Sequence, residues 1–276
     1  MAAVVATEAG GRVTRISRGA FNCYVVHDGG AGQPLVVDPG TPGNGADAAE
    51  TVRRLHGASA RAAVICSHGH LDHVGGVARV CAEVADGYYL PDTCRRYLSG
   101  EEIPSPPGAR EIAKILPVLA SQPFSLAAYR ELGPLTKVAG HRPTGMVMPI
   151  PPAGFLADGD EVPGAPGWEV LSTPGHTADS TCFYHRASAT LLSGDAVLTH
   201  DGRPWCNPEI TDAAASAATE ERLREIPVEH LLPGHGLPIS GTDVMRGARS
   251  FRDLPTGGAL SCRLARRLGA WSTSRR

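Results

Sequence analysis

No C-x-x-C pair occurs in the 276 residues, and the seven cysteines (Cys23, Cys66, Cys81, Cys94, Cys182, Cys206 and Cys262) are odd in number and widely scattered. That pattern excludes a disulfide framework or a zinc ribbon and leaves reduced, small core residues. The chain also lacks a run of about 18 apolar residues, so no membrane-crossing helix is expected. Its first residues do not follow the basic, apolar, small-residue order of a secretory leader, and the expected compartment is the cytoplasm. An excess of one charge is missing as well, with 26 Lys and Arg against 28 Asp and Glu. Without a global positive field there is little to draw nucleic acid or an anionic membrane, and a small-molecule substrate is expected instead. No internal repeat is found, and nothing in the pattern specifies an oligomer.

What is present begins with enough apolar residues, 42% of the chain, to bury a sizeable core. The expected layout is one domain over residues 1–255 with a helical lid inserted at about 91–154. The remaining 256–276 would be a surface helix or disordered, since Cys262 to Arg276 carries five arginines among few acids.

The first half alternates short apolar runs with helical spacing. Asn22 to Val26 and Pro34 to Asp38 read as strands of a hairpin turning at Gly29 to Gly32. Asp47 to Gly57 reads as a helix and Arg61 to Ser67 as a buried strand, after which Val77, Val80, Cys81 and Val84 recur at helical spacing. In the lid, Glu111 to Ala120 and Leu126 to Leu132 read as helices interrupted at Pro117 and Pro123. Its apolar residues Ile112, Ile115, Leu116, Leu119, Phe124 and Leu126 are expected to dock the lid helices, with His141 and Tyr129 as its polar candidates. Beyond the lid, Trp168 to Thr173, Thr181 to His185, Thr190 to Asp195 and Glu229 to Leu232 read as strands, and Ala213 to Ile226 as a helix. The recurrence of strands and helices in both halves suggests two sheets with helices outside.

The strongest local signal is Ser67-His68-Gly69-His70-Leu71-Asp72-His73-Val74-Gly75-Gly76, with four metal-capable side chains in six residues directly after a strand. Neutral imidazole and carboxylate are the donors that borderline divalent ions accept. A tight loop can point alternate side chains toward one ion and the rest toward a second. Gly69, Gly75 and Gly76 are expected to permit unusual backbone angles and close packing. Three later residues complete the set: His176 in Pro174-Gly175-His176-Thr177, Asp195 in Gly194-Asp195, and His235 in Pro233-Gly234-His235-Gly236. Each follows an expected strand, where loops present functional groups at one edge of a rigid sheet. Ser180 and Cys182 lie near the His176 turn, but no unassigned histidine and acid form a relay with them, so both are read as packing.

These motifs, in this order, resemble the metallo-β-lactamase superfamily, with its H-x-H-x-D-H motif, P-G-H-T turn, G-D turn and final G-H. The likeness spans roughly residues 20 to 240. Asn22-Cys23-Tyr24 and Val37-Asp38-Pro39-Gly40 are similar to the first hairpin of the glyoxalase II-like branch. The resemblance implies an α/β (α+β) fold, a four-layer αββα sandwich with the metals in the cleft between the sheets. It also implies that His68, His70 and His176 hold one metal, that Asp72, His73 and His235 hold a second, and that Asp195 bridges both. Two divalent ions are implied, zinc first, with iron or manganese as the other choices. Two cations roughly 3.5–4 Å apart lower the pKa of a shared water and supply a hydroxide nucleophile. Asp72 is the expected catalytic residue, orienting the nucleophile and passing a proton to the leaving group.

The same resemblance narrows the chemistry. The commonest zinc β-lactamases carry cysteine where this chain has Asp195, the nuclease branch carries a large extra domain and a basic surface, and flavin-linked di-iron relatives carry glutamate where this chain has His70. The expected reaction is therefore hydrolysis of an ester, thioester or lactone. The alternatives are an iron oxidoreductase of the persulfide dioxygenase type, and a β-lactam or phosphodiester hydrolase on the same fold.

Overall fold

Six strands and three helices account for the first third of the chain in the computed structural model, which describes residues 3–27, 33–106 and 108–250 together with 263, 264 and 267. Strands β1 (Val4–Glu8), β2 (Val13–Arg18) and β3 (Phe21–Val26) form an antiparallel meander. Strand β4 (Leu35–Val37) pairs antiparallel with β3, so the expected hairpin partners are found. Its turn, Gly29 to Gly32, lies outside the described residues. Helix α1 (Pro42–His56) then crosses to β5 (Ala63–Ile65), which lies parallel to β4. The short α2 (Leu71–Val74) and α3 (Val77–Val84) lead to β6 (Tyr89–Pro91), again parallel.

Helix α1 starts five residues before the expected Asp47 for a local reason. Thr41 and Asn44 form a reciprocal capping box, and Pro42 follows the cap with its φ already set for a helix. Strands β1 and β2 were not expected, because polar side chains in β2 blur the period of two. Arg15 is only 7% exposed, yet its guanidinium meets Glu8 at 3.0 Å and Ser17, and Ser17 donates to Asn22 at 2.6 Å. Buried polar groups are tolerated where each finds its partner.

Between β6 and its next neighbour the chain forms α4 (Thr93–Ser99), α5 (Ala109–Lys114), α6 (Leu116–Ser121), α7 (Leu126–Leu135) and the hairpin β7 (Gly140–Arg142) to β8 (Gly145–Val147). The break between α5 and α6 falls at Ile115, just before the expected Pro117. Strand β9 (Gly154–Leu156) then closes the seven-stranded sheet beside β6.

The second sheet runs in the order β10 (Trp168–Ser172), β11 (Thr181–His185), β12 (Thr190–Gly194), β15 (His230–Pro233), β16 (Ile239–Ser240). The crossover from β12 to the parallel β15 carries the hairpin β13 (Val197–His200) to β14 (Arg203–Cys206) and helix α8 (Ala213–Glu225).

Three apolar layers stack these parts. Tyr24, Leu35, Val37 and Ile65 of the first sheet meet Trp168, Phe183, Leu192 and Leu232 of the second. The first sheet's other face, through Val25, Val36 and Val64, covers Val52 of α1 and Val77, Val80 and Val84 of α3. The second sheet's outer face, through Tyr184, Leu191 and Leu231, covers Leu223 of α8. Helix, sheet, sheet and helix are thus the four layers of the expected αββα sandwich. Each fully buried leucine or phenylalanine in them contributes about 1.5–3 kcal/mol, so the frame that carries the site is stiff. Among the described residues no helix is long and apolar enough to cross a membrane. The expectation for 256–276 falls outside the described residues except at Arg263, Leu264 and Arg267, which are helical.

Candidate metal centre

Strand β5 ends at Ile65, and the loop Cys66 to His70 runs directly into α2, with His70 as its N-cap. This places His68 in the loop and Asp72 and His73 on the first turn of α2. His176 follows β10, Asp195 follows β12 and His235 follows β15, as the sequence spacing predicts. Close backbone packing brings these loops together. A Cβ at Gly76 would collide with the carbonyls of Pro39 and Thr41, and one at Gly234 with Asp195 and His73. The glycines of the first motif therefore serve close approach; Gly69, Gly75 and Gly76 do not adopt the positive φ that was expected of them.

All seven side chains converge. His70 Nδ1 lies 3.3 Å from His176 Nε2, and the His68 ring lies 4.6, 4.1 and 5.1 Å from those of His70, His73 and His176. Asp195 reaches both sides of the group. Its Oδ1 is 3.4 Å from His73 Nε2, and its Oδ2 is 3.7 Å from His176 Nε2 and 3.4 Å from His235 Nε2. Asp72 Oδ2 is 3.3 Å from His235 Nε2. Three sets of donor atoms lie within 4.8 Å of one another: His68 with His70 and His176, His68 with His73 and Asp195, and Asp72 with His73 and His235.

A second layer of hydrogen bonds fixes the rings. His176 Nδ1 donates to the Glu209 carbonyl and His235 Nδ1 to the Ala20 carbonyl, both at 2.7 Å. His73 Nδ1 donates to Asp38 Oδ2 at 2.9 Å, and Asp38 also accepts from the Ser67 amide and hydroxyl at 2.7 and 2.8 Å. Because a carbonyl only accepts, Nδ1 of His176 and of His235 carries a proton and Nε2 is the nitrogen that faces the centre. Asp179, fully enclosed, accepts from the Gly69 amide at 2.8 Å, from Cys94 at 3.2 Å and from His141 Nε2 at 2.9 Å, which clamps the loop beneath His68 and His70. Asn22 donates to the carbonyls of Pro233 and Gly236 at 2.9 and 2.8 Å and so braces the His235 loop.

The charges in the group sort by neighbour. Burial drives the His68 imidazole well below its ordinary value, with His73 and His70 pushing the same way. Burial, then His176, takes His70 to about 3. At His73 and His235 burial is the largest single influence and resists charge, but Asp195 together with Asp38 at His73, and with Asp72 at His235, exceeds it, and both are raised well above the ordinary value. The Asp195 carboxyl is likewise opposed by burial, yet His235 and His73 hold it well below the carboxylate range.

The donor set fits a pair of ions. His68 Nε2, His73 Nε2 and Asp195 Oδ1 are shielded from solvent and make no hydrogen bond, a cost that a ligated cation removes. The two carboxylates pull His73 and His235 toward the charged form. A divalent ion satisfies the same carboxylates with more charge and takes the rings as neutral donors.

A cavity of about 510 Å³ opens over this group. Its floor is His70, Asp72, Asp195 and His235, and its other wall includes Ile112, Ile115, Leu119, Tyr129 and Leu132. Ile112, expected to dock the helices, is 44% exposed and faces the cavity instead, while Ile115 does both, packing on Val118 and Leu198. Both polar candidates of the segment, His141 and Tyr129, also line it. Cys182 bonds only to Thr173 and the Ser193 carbonyl, as packing predicts. Sequence reasoning missed Asp38, Asp179, Glu209 and Arg142. Of these only Asp38 carried a signal, an acid closing an apolar strand within Val37-Asp38-Pro39-Gly40.

Comparison with known proteins agrees with this fold. The probable metallo-hydrolase YflN of Bacillus subtilis is 24% identical over 228 residues, covering 75% of this chain and 76% of the relative. A metallo-beta-lactamase from Hirschia baltica superposes with a TM-score of 0.55 at 14% identity, covering 96% of this chain and 98% of that one. An archaeal metallo-beta-lactamase superfamily protein from Sulfolobus tokodaii gives 0.53 at 18% identity, covering 85% and 83%. The family model of the metallo-beta-lactamase superfamily matches residues 17–235, from the end of β2 to the last histidine of the centre, and the chain belongs to that superfamily.

Proposed function

We propose that the protein is a di-metal hydrolase that cleaves an ester, thioester or lactone of a small molecule. The observation that carries this reading is Asp195, whose two oxygens face different imidazole sets while one of them has no hydrogen bond at all. On this reading His68, His70 and His176 hold one ion, Asp72, His73 and His235 hold the other, and Asp195 is shared. When bound, such a pair lowers the pKa of a water and polarises the scissile oxygen. Zinc suits the nitrogen-rich donor set, and iron and manganese accept it too.

The chain's own residues supply the rest. The hydrogen bonds from His73, His176 and His235 to Asp38, Glu209 and Ala20 hold the rings in place before substrate arrives. Asp72, 22% exposed beside the cavity and 3.3 Å from His235 Nε2, can take a proton from the attacking water and return it to the leaving group. The helical segment over the cavity acts as a lid, and its apolar side chains limit water around the scissile bond. The first hairpin supports placement in the glyoxalase II-like branch, since Asn22 braces the His235 loop and Asp38 orients His73.

The test is a panel of p-nitrophenyl esters, thioesters, lactones, β-lactams and phosphodiesters offered to zinc-loaded protein. Turnover of an acyl substrate, falling at least about a thousandfold in Asp195→Ala, is expected. Turnover restricted to β-lactams or phosphodiesters, or none with metal bound, overturns the reading.

A further inference from the structure

Arg142 ends β7 and lines the same cavity as the candidate metal ligands. Its guanidinium makes no hydrogen bond or ion pair among the described residues, and its Nε and Nη2 are shielded from solvent. An arginine keeps its charge at any ordinary pH, so it cannot escape the cost of burial by losing a proton. Charges drawn even partly out of water are usually paired, and among the described residues this half-buried one has no partner. The acids of the cavity, Asp72, Asp195 and Glu209, stand with the histidines at the floor, and none of them pairs with it. Phe21, Ile112, Ile115, Leu119 and Leu132 line the same cavity.

We infer that Arg142 is a specificity-determining residue that binds an anionic oxygen group, carboxylate or phosphate, carried by a short apolar substrate whose scissile bond lies at the metal centre. The inference rests on the hydrolase reading for the second half of that statement only. The planar fork of a guanidinium matches either oxyanion with two parallel hydrogen bonds, and Arg142 lines the cavity with that fork unpaired among the described residues. A volume of about 510 Å³ suits a small molecule rather than a polymer. His141, the residue before Arg142, packs its ring 5.1 Å from His70 and is tied to Asp179 at 2.9 Å. The hairpin that carries Arg142 is therefore anchored directly to the loop that carries the first ligands.

The experiment compares zinc-loaded wild type, Arg142→Gln and Arg142→Lys on three p-nitrophenyl esters of one chain length: the hexanoate, the adipate monoester and the 5-phosphonopentanoate. Wild type is expected to prefer an anionic ester over the hexanoate by about ten- to a hundredfold in kcat/KM, chiefly through KM, the range of a charge-assisted hydrogen bond. In Arg142→Gln that ratio falls toward one, and Arg142→Lys restores part of it. Whichever of the carboxylate and phosphonate shows the larger preference identifies the group. A wild-type ratio near one, or a preference that survives in Arg142→Gln, overturns the assignment. Calorimetric titration with monomethyl adipate and dimethyl adipate gives a readout independent of turnover. If no ester is cleaved but tighter binding of the monoanion is lost in Arg142→Gln, the hydrolase reading fails and Arg142 keeps its role. If the two bind wild type alike, the assignment of Arg142 fails.

Discussion

At the floor of the cavity His73, His176 and His235 each have their second ring nitrogen tied to a fixed acceptor on another segment. At the roof Ile112, Leu116 and Leu126 are 44%, 40% and 50% exposed on helices of six to ten residues, and Phe124, in the loop between α6 and α7, is 69% exposed. The floor hangs from strand ends of two packed sheets, where moving one ligand means moving the core. The roof rests on short helices with few deeply buried side chains, which makes it the part free to differ in shape. On the proposed function, chemistry that tolerates little displacement sits on the first, and recognition, which can be retuned one side chain at a time, sits on the second.

The contrast can be broken at the floor most severely. Asp38→Asn keeps the shape of the side chain but removes the charge that orients His73, and metal affinity is expected to fall about ten- to a hundredfold in competition with a chelator. An unchanged affinity would mean that the second layer does not position the ring. At the roof, the pair Ile112→Ala and Leu119→Ala should raise KM roughly three- to tenfold while metal content stays as in wild type. Loss of metal in that double variant would show that floor and roof are one unit.

The smallest effect concerns Glu209, which faces the floor with 5% of its surface exposed. Burial, then Asp195 and Asp72, pushes its carboxyl up to about 8 from 4.5. The folded protein therefore keeps a proton that the unfolded chain has lost, and stability falls as pH rises between about 4.5 and 8. In chelator-treated protein Glu209→Gln should lower the thermal midpoint less than wild type does between pH 5 and pH 8. His73 and His235 are raised too and contribute a slope of the same sign, which the variant retains. Parallel curves for the two proteins would contradict the assignment.

The floor was legible in the sequence and the roof was not, for a physical reason. Four ligands sit within six residues after a strand, and the other three follow glycine turns that also follow strands, so local pattern alone pointed to each. Partners of the ligands are local only in space. His235 leans on Ala20, 215 residues away, and His73 on Asp38, 35 away, and no window of sequence holds both members. Arg142 looked like any surface arginine, because only the packed hairpin brings it to the cavity. Strands β1 and β2 escaped notice because Arg15, Thr14 and Ser17 are buried by pairing rather than by hydrophobicity.

The most direct measurement is the metal content of the purified chain, loaded with zinc, desalted and analysed by plasma mass spectrometry beside Asp195→Ala. Two ions per chain in wild type, and fewer than two in the variant, is the expected result. A single ion per chain, zinc or iron, in wild type with Asp195→Ala unaltered would contradict a shared carboxylate between two sites.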